Sequence, residues 1–79
     1  MSGVKIVESV YEQIVRLRTN GFNGPYIVEV PPWMEKTFET PYLAGEKRRV
    51  LDRVLEIAGV VRVRVGVVAQ IVVRCNLHV

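Results

Sequence analysis

Apolar residues recur every three or four positions near the start of the chain, and this spacing predicts an amphipathic helix over residues 4–19. Asn20 and Gly21 come next, and these residue types readily take the left-handed backbone geometry that ends a helix. The helix is therefore expected to stop at this pair. Its apolar stripe consists of Val7, Val10, Ile14 and Leu17, widened by Tyr11, and its polar face carries Glu8, Glu12, Gln13 and Arg16.

The next pattern is a β-branched alternation at Tyr26–Val30, which predicts a half-buried strand. Pro25 precedes this strand, and the pair Pro31 and Pro32 follows it. Because proline has no N–H to donate to a sheet, the strand is expected to end at the pair. Proline also suits the first turn of a helix, so residues 33–38 are predicted to form one or two helical turns. Tyr26, Val28 and Val30 are assigned to one face, and Ile27 and Glu29 to the other.

A second helix is predicted over residues 46–58, with Gly59 as its stop signal. Lys47, Arg48 and Arg49 fall in its first turn, where the helix dipole disfavours cations. These side chains are therefore expected to face an acidic group or to be solvated. The apolar stripe of this helix consists of Val50, Leu51, Val54, Leu55 and Ala58.

Two alternating runs, residues 60–65 and residues 71–79, predict two further strands. Runs separated by about five residues favour an antiparallel hairpin. In such a hairpin the outward-facing Arg62, Arg64 and Arg74 are expected to share one sheet face. The inward positions are Val61, Val63, Val65, Ile71, Val73, Cys75 and Leu77, whereas Asn76 and His78 are assigned outward.

The order helix, strand, short helix, helix, strand, strand predicts a single α+β domain over residues 1–79, with two main helices packed on a small mixed β-sheet. Apolar residues make up 49% of the chain and charged residues 24%, a globular composition. A chain this short buries only roughly 60–65% of its unfolded surface, so its own core stabilises it weakly. A single cysteine excludes an internal disulfide. Association with other chains is the expected source of further stability.

Charge and targeting signals narrow the classes of function. The chain opens with no secretion signal, and no apolar run approaches the roughly 18 residues of a membrane span, so a cytoplasmic location and no membrane partner are predicted. A net charge of +3 permits weak, salt-sensitive binding to nucleic acid, with Arg62, Arg64 and Arg74 as the candidate contacts. No aromatic residues share their face to stack on bases. A small basic nucleic-acid-binding or regulatory domain is the alternative function, and a solvated surface is the ordinary explanation of this charge.

Residue types that commonly carry catalysis are scarce, with one histidine, one cysteine and one aspartate in the chain. Cys75 and His78 are three positions apart in a predicted strand, so they point to opposite faces. The sequence therefore predicts no catalytic, cofactor-binding or metal site, no small-molecule substrate and no enzymatic activity. Trp33, directly after the prolines, is either a lid on the core or an exposed contact residue.

Five short motifs follow one another in a recognisable order. They are LRTNG at residues 17–21, GPY at 24–26, PPW at 31–33, RVLDRVLEI at 49–57 and GVVRVRV at 59–65. Together they resemble the axial domain of the tailed-phage major capsid and encapsulin shell-protein family, over residues 4–65. In that family a helix of this kind leads into Gly-Pro-Tyr, a hydrophobic strand, a proline-containing turn, a second helix and further strands.

The resemblance implies a structural, non-catalytic domain that associates with copies of itself or with sibling subunits of a virion or encapsulin shell. Loops between strands line the symmetry axes in that family, so the loops over residues 40–46 and 66–70 become candidate contacts. Full members of the family are several times longer, with an N-terminal arm, an extended β-loop and a peripheral domain. The chain is then an excised axial domain or a small protein that kept this fold. The candidate contact residues are Thr40, Tyr42, Glu46, Val67 and Gln70.

Overall fold

A computed structural model describes residues 2–76 of the chain. In chain order its elements are α1 (Gly3–Thr19), β1 (Tyr26–Val30), a 3-10 turn (Pro32–Met34), α2 (Glu35–Phe38), α3 (Val50–Leu55), β2 (Val60–Val65) and β3 (Val72–Cys75). The predicted α+β fold and the helical turns after the prolines are confirmed. Leu77 and His78 lie outside the described residues. Within residues 2–76, no helix has both the length and the apolar character needed to cross a membrane.

α1 begins at a polar cap, where the Ser2 hydroxyl accepts a hydrogen bond from the Lys5 backbone N–H at 3.3 Å. It ends at Asn20, as predicted. The buried stripe differs from the expected one, because Tyr11 is 53% exposed whereas Ile6 is fully buried. The fully buried residues Ile6, Val10 and Ile14 are spaced by four positions, and position 11 lies at the margin of the stripe that they form.

The three strands form a mixed sheet in the order β2-β1-β3, with β1 parallel to β2 and antiparallel to β3. The predicted hairpin of the last two strands is therefore wrong, since β1 lies between them. β1 is the strand buried on both faces: Tyr26 and Val28 are fully buried on one face, and Glu29 is only 8% exposed on the other. A strand of this kind takes the centre of a sheet, and the two strands that carry exposed arginines take its edges.

β2 departs from the predicted alternation near its start. Its register with β1 skips one residue between Val60 and Arg62, so Val61 is the extra residue of a β-bulge. Val61, predicted to face inward, is consequently 59% exposed. Val65, also predicted inward, is exposed because it ends an edge strand, whereas Val63 in the middle of β2 is partly buried and packs against the core.

α3 is shorter than the helix predicted over residues 46–58, because the segment before it is held in an extended conformation. Tyr42 donates its backbone N–H to the Arg48 carbonyl at 2.8 Å, and Val50 donates to the Thr40 carbonyl at 2.9 Å. An isolated bridge pairs Pro41 with Arg49 in the same stretch. These bonds use the backbone groups that a longer helix would need.

The first turn of α3 carries an acidic residue rather than the predicted cluster of cations. The Asp52 carboxylate accepts the Arg49 backbone N–H at 2.9 Å. Arg49 is the residue before the helix, so Lys47 and Arg48 also precede the first turn. The predicted conflict between these cations and the helix dipole therefore does not arise, and Asp52 lies where the dipole favours an anion.

The start of β1 and the start of β2 are joined around one buried aromatic ring. Tyr26 donates its hydroxyl to the Phe22 carbonyl at 2.6 Å and its backbone N–H to the Gly59 carbonyl at 2.8 Å. Gly59 has a φ of 90°, and a Cβ at this position would lie 2.9 Å from the Tyr26 ring. Both the backbone conformation and the ring contact therefore require glycine at position 59.

The hydrophobic core lies between the helices and one face of the sheet. It joins residues of α1, β1 and α3 with the short helical turns after the prolines and with both edge strands. The other face of the sheet, which carries Ile27 and Glu29, is not covered by a helix among residues 2–76. The buried apolar residues are Ile6, Val7, Val10, Ile14, Tyr26, Val28, Val30, Met34, Phe38, Val50, Val54, Ile57, Val60, Ile71 and Val73.

Candidate functional site

The three arginines predicted to share a sheet face do so, although the hairpin that motivated the prediction is absent. Arg62 on β2 and Arg74 on β3 are both register partners of Ile27 in β1. Arg64 is the register partner of Glu29. Register partners point to the same side of a sheet, so the three guanidinium groups lie on the uncovered face, two on β2 and one on β3.

Glu29 lies in the middle of these arginines and pairs with two of them. Its carboxylate accepts a hydrogen bond from Arg74 and lies 3.5 Å from the Arg64 guanidinium. The hydrogen bond from Arg74 is the main cause that holds the pKa of Glu29 below its ordinary value, and partial desolvation opposes it. Gly66 leaves the room that the carboxylate needs, because a Cβ there would lie 2.5 Å from Glu29 Oε2.

Arg62 differs from its two neighbours on this face. Within residues 2–76 it takes part in no ion pair, whereas Arg64 and Arg74 are both held by Glu29. Arg64 makes only the longer contact, and a guanidinium group has five N–H donors. The β2 side of the face therefore retains unused hydrogen-bond donors, and the β3 side is closer to neutral.

The free edge of β3 is closed by a side chain of α1. Gln13 donates its Nε2 to the Ile71 carbonyl at 3.0 Å, and its Oε1 accepts the Val73 backbone N–H at 3.0 Å. The side-chain amide thus binds β3 as a neighbouring strand would. The helical periodicity predicts Gln13 on the polar face of the helix, and its polarity is the only sequence signal of this contact. Periodicity does not distinguish an amide that faces solvent from one that reaches a strand edge.

Among residues 2–76, nothing comparable covers the outer edge of β2. Gly66 donates its backbone N–H to the Val30 carbonyl at 3.0 Å, which fixes the direction of the ladder with β1. Because the backbone groups of successive residues alternate in direction, those of Val63 and Val65 point away from β1. Neither residue has a hydrogen-bond partner on that side among the described residues. The sheet therefore has one closed and one open edge.

Three of the candidate contact residues predicted from the shell-protein resemblance make contacts within the domain. The Thr40 hydroxyl donates to the Thr37 carbonyl at 2.6 Å. Tyr42 is half-buried, with the Arg53 guanidinium 5.7 Å from its ring centre. Glu46 pairs with Arg48.

The two candidates in the loop after β2 are more accessible. Val67 is fully exposed, and Gln70 is exposed at one end of a cleft between α1 and β3. Trp33 is also 66% exposed, so the lid on the core, one of the two roles predicted for it, is excluded. The exposed apolar side chains of Trp33 and Val67 are thus accessible to another molecule.

The two arginines of the cationic cluster before α3 are paired with carboxylates of the same chain. Arg48 pairs with Glu46 and with Glu56, the latter at 2.6 Å. Arg49 contacts Glu39 at 2.7 Å and Asp52 at 3.0 Å, and the hydrogen bonds that it donates to Asp52 and then to Glu39 raise its pKa above the ordinary value. Of the two surroundings predicted for these arginines, the acidic one is therefore present, and it is internal.

The clefts of the domain are shallow and open. One of about 300 Å³ separates α1 from the start of β3 and is lined by Glu12, Arg16 and Gln70 among others. Cys75 is partly buried against the core. No group of three or more histidine, cysteine, aspartate or glutamate side chains is arranged to hold a metal ion in the part of the chain that the structure describes.

Comparison with protein-family models, with curated proteins and with solved structures found no match to this chain. The resemblance to the axial domain of phage capsid and encapsulin shell proteins therefore stays a prediction.

Proposed function

We propose that this domain is a structural, non-catalytic module that associates with copies of itself or with sibling subunits, in the manner of an axial domain of a capsid or encapsulin shell. The observation that supports the proposal is the exposure of two large apolar side chains, Trp33 and Val67, on segments that leave the same end of the sheet. Tryptophan is one of the residue types enriched among the side chains that contribute most of the binding energy at protein interfaces.

The topology brings these two segments together. β1 and β2 are parallel, so their carboxyl ends lie at the same end of the sheet. The turn that carries Trp33 follows β1, and the loop that carries Val67 follows β2. The loop over residues 40–46 belongs to the same connection between the two strands. The turn that carries Trp33 and the loop over residues 66–70 therefore both start from one end of the sheet, where a neighbouring subunit can contact them together.

Light scattering over a range of protein concentrations tests this proposal. We expect oligomers whose fraction rises with concentration, and we expect Trp33→Ser and Val67→Asp each to weaken association about tenfold or more, since each removes an apolar anchor. Val15→Gln is the matched control, because Val15 is an exposed apolar residue on α1, far along the chain from both segments. Circular dichroism verifies that each variant is folded.

Two results contradict the proposal. One is a wild-type protein that stays monomeric at all concentrations, and the other is an assembly that Val15→Gln weakens as much as Trp33→Ser and Val67→Asp do. Either result shows that the exposed side chains at this end of the sheet do not hold the subunits together.

A second candidate function is weak binding of nucleic acid by the uncovered sheet face. It is favoured by one observation, the location of Arg62, Arg64 and Arg74 on that face. Glu29 neutralises part of this charge, so the candidate has less support than self-association. The logarithm of the affinity of such binding falls linearly with the logarithm of the salt concentration, because counterions of the nucleic acid are released when the complex forms.

A titration of labelled single- and double-stranded DNA at low ionic strength tests the second candidate. We expect Arg62→Gln to weaken binding more than Arg16→Gln, since Arg16 lies on α1 and outside the sheet face. No binding at low ionic strength, or equal losses for the two variants, contradicts it.

A further inference from the structure

The open edge of β2 presents two chemically different sides. On the uncovered face of the sheet, Arg62 and Arg64 lie two positions apart along the strand. On the face that carries the helices, a groove of about 160 Å³ runs beside Val65. It is lined by apolar side chains that include Leu51 and Phe38, and also by the carboxylates of Glu35 and Glu39. Between the two sides lie the outward-pointing backbone groups of Val63. Any chain that pairs with this edge meets cations on one side, and on the other it meets apolar side chains with two carboxylates that would repel acidic residues.

We propose that the β2 edge binds an extended segment of another protein as a fourth strand, and that this segment has acidic residues at alternating positions with apolar residues between them. The interaction goes beyond the proposed self-association, because it uses the backbone edge of β2 rather than the side chains of Trp33 and Val67. Backbone hydrogen bonds supply affinity in this mode of recognition, and alternate side chains supply specificity. The two arginines select the acidic side of the segment, and the groove beside Val65 receives the apolar side.

The sheet already contains an example of the pairing that is proposed. Glu29 on β1 is the register partner of Arg64 and contacts its guanidinium from one neighbouring strand. A carboxylate on the other neighbouring strand would face the same guanidinium from the open side. Arg62, which has no ion pair among residues 2–76, would meet a second carboxylate two positions along. Two acidic residues spaced by two positions therefore match the two arginines.

Charge excludes a second copy of β2 as the occupant. If two β2 edges paired with each other, the arginines of one copy would lie beside the arginines of the other. Like charges on directly adjacent strands are destabilising. No carboxylate of β2 is available to relieve the repulsion, since its sequence is Val-Val-Arg-Val-Arg-Val. The β2 edge thus disfavours pairing with a second copy of β2 and favours pairing with an acidic strand.

Fluorescence anisotropy with a labelled peptide of about eight residues, alternating glutamate and valine, tests the proposal. We expect the wild-type protein to bind this peptide and not to bind the peptide in which lysine replaces glutamate. The double variant Arg62→Glu/Arg64→Glu is expected to bind the glutamate peptide roughly tenfold more weakly and to gain binding of the lysine peptide. Arg16→Glu/Arg53→Glu is the control with the same change of net charge. Equal binding of the two peptides, or equal losses for the two double variants, overturns the proposal.

A second measurement uses the wild-type protein alone and does not depend on the folding of variants. An added strand donates the N–H groups of alternate residues to β2, and the remaining N–H groups point to solvent. Two forms of the glutamate peptide are compared, one N-methylated at its odd-numbered residues and the other at its even-numbered residues. One form is expected to lose binding and the other to keep it. Equal effects of the two methylation patterns overturn pairing at the strand edge, whatever the contribution of charge.

Discussion

The two edges of the sheet are built in opposite ways. On β3, Gln13 from α1 uses both ends of its amide to bind the Ile71 carbonyl and the Val73 N–H. On β2, the corresponding backbone groups of Val63 and Val65 have no partner within residues 2–76. One edge is thus closed by the chain itself, and the other is kept open beside two arginines.

The difference teaches how a small sheet controls what pairs with it. A closed edge needs a helix close enough for one side chain to reach the strand, and α1 packs against β3 at that distance. An open edge needs another form of protection, and charged side chains at alternate positions discourage pairing with identical chains. The same charges admit a strand of opposite charge, so protection and selectivity have one cause.

The largest expected effect concerns the point at which β2 begins. Gly59→Ala places a Cβ 2.9 Å from the buried Tyr26 ring and forces alanine into a φ of 90°. We expect the free energy of unfolding to fall by about 2–5 kcal/mol, from backbone strain and overpacking together. Urea denaturation measures the loss.

Gly45→Ala separates the two causes. Gly45 has a φ of 78°, but a Cβ there meets no atom within 4 Å, so only the backbone strain applies. If Gly59→Ala were no more destabilising than Gly45→Ala, the ring contact that joins β1 to β2 would carry no stability.

The closed edge is tested by Gln13→Ala, which leaves the Val73 N–H and the Ile71 carbonyl without their partner. We expect a loss of about 1–3 kcal/mol in the free energy of unfolding, since both groups are only partly accessible to water. Amide hydrogen exchange of Val73 is expected to accelerate until it resembles that of Val63 and Val65. Such a result would show that Gln13→Ala converts the closed edge of β3 into an open one.

Two further variants sharpen this test. Gln13→Glu retains the acceptor for Val73 and loses the donor for Ile71, so its loss of stability should lie between those of wild type and Gln13→Ala at neutral pH. Glu12→Ala is the matched control, an exposed neighbour on the same helix. An equal loss of stability for Gln13→Ala and Glu12→Ala would refute the role of the amide at the β3 edge.

The sequence predicted the elements better than their arrangement. Proline positions placed the ends of β1, and glycine and asparagine placed the end of α1, because these residues act through local backbone geometry. The antiparallel hairpin was wrong, because pairing order depends on which strand has two buried faces, and the burial of Glu29 arises from arginines on two other strands. Alternation in β2 also failed at Val61, since a β-bulge depends on the register with a distant strand.

The candidate site shows the same division. The common face of Arg62, Arg64 and Arg74 was predicted from the period of two along each strand. It is correct even though β1 lies between the two strands that were predicted to pair. The capping of β3 by Gln13 did not follow from any local pattern, because it joins residues 60 positions apart. Long-range contacts of this kind require the tertiary arrangement of helix and sheet.

The smallest of the expected effects concerns Glu29, which links the two edges through Arg64 on β2 and Arg74 on β3. Its pKa is lower in the folded protein than in the unfolded chain, so its ionised form stabilises the fold. That stability is present above the ordinary pKa of a glutamate, about 4.3, and is lost as the pH falls through the lower pKa of the folded state. Glu29→Gln should therefore be less stable than wild type at neutral pH and lose less stability on acidification.

A set of urea denaturation curves between neutral and strongly acidic pH checks this prediction. Asp52 has a pKa lowered by its hydrogen bonds with Arg49, so Glu29→Gln should keep the part of the acid sensitivity that belongs to the start of α3. Glu8→Gln, an exposed substitution on α1, is the control and should follow the wild-type curve. A Glu29→Gln curve parallel to that of wild type throughout would show that the ionised carboxylate of Glu29 does not stabilise the fold.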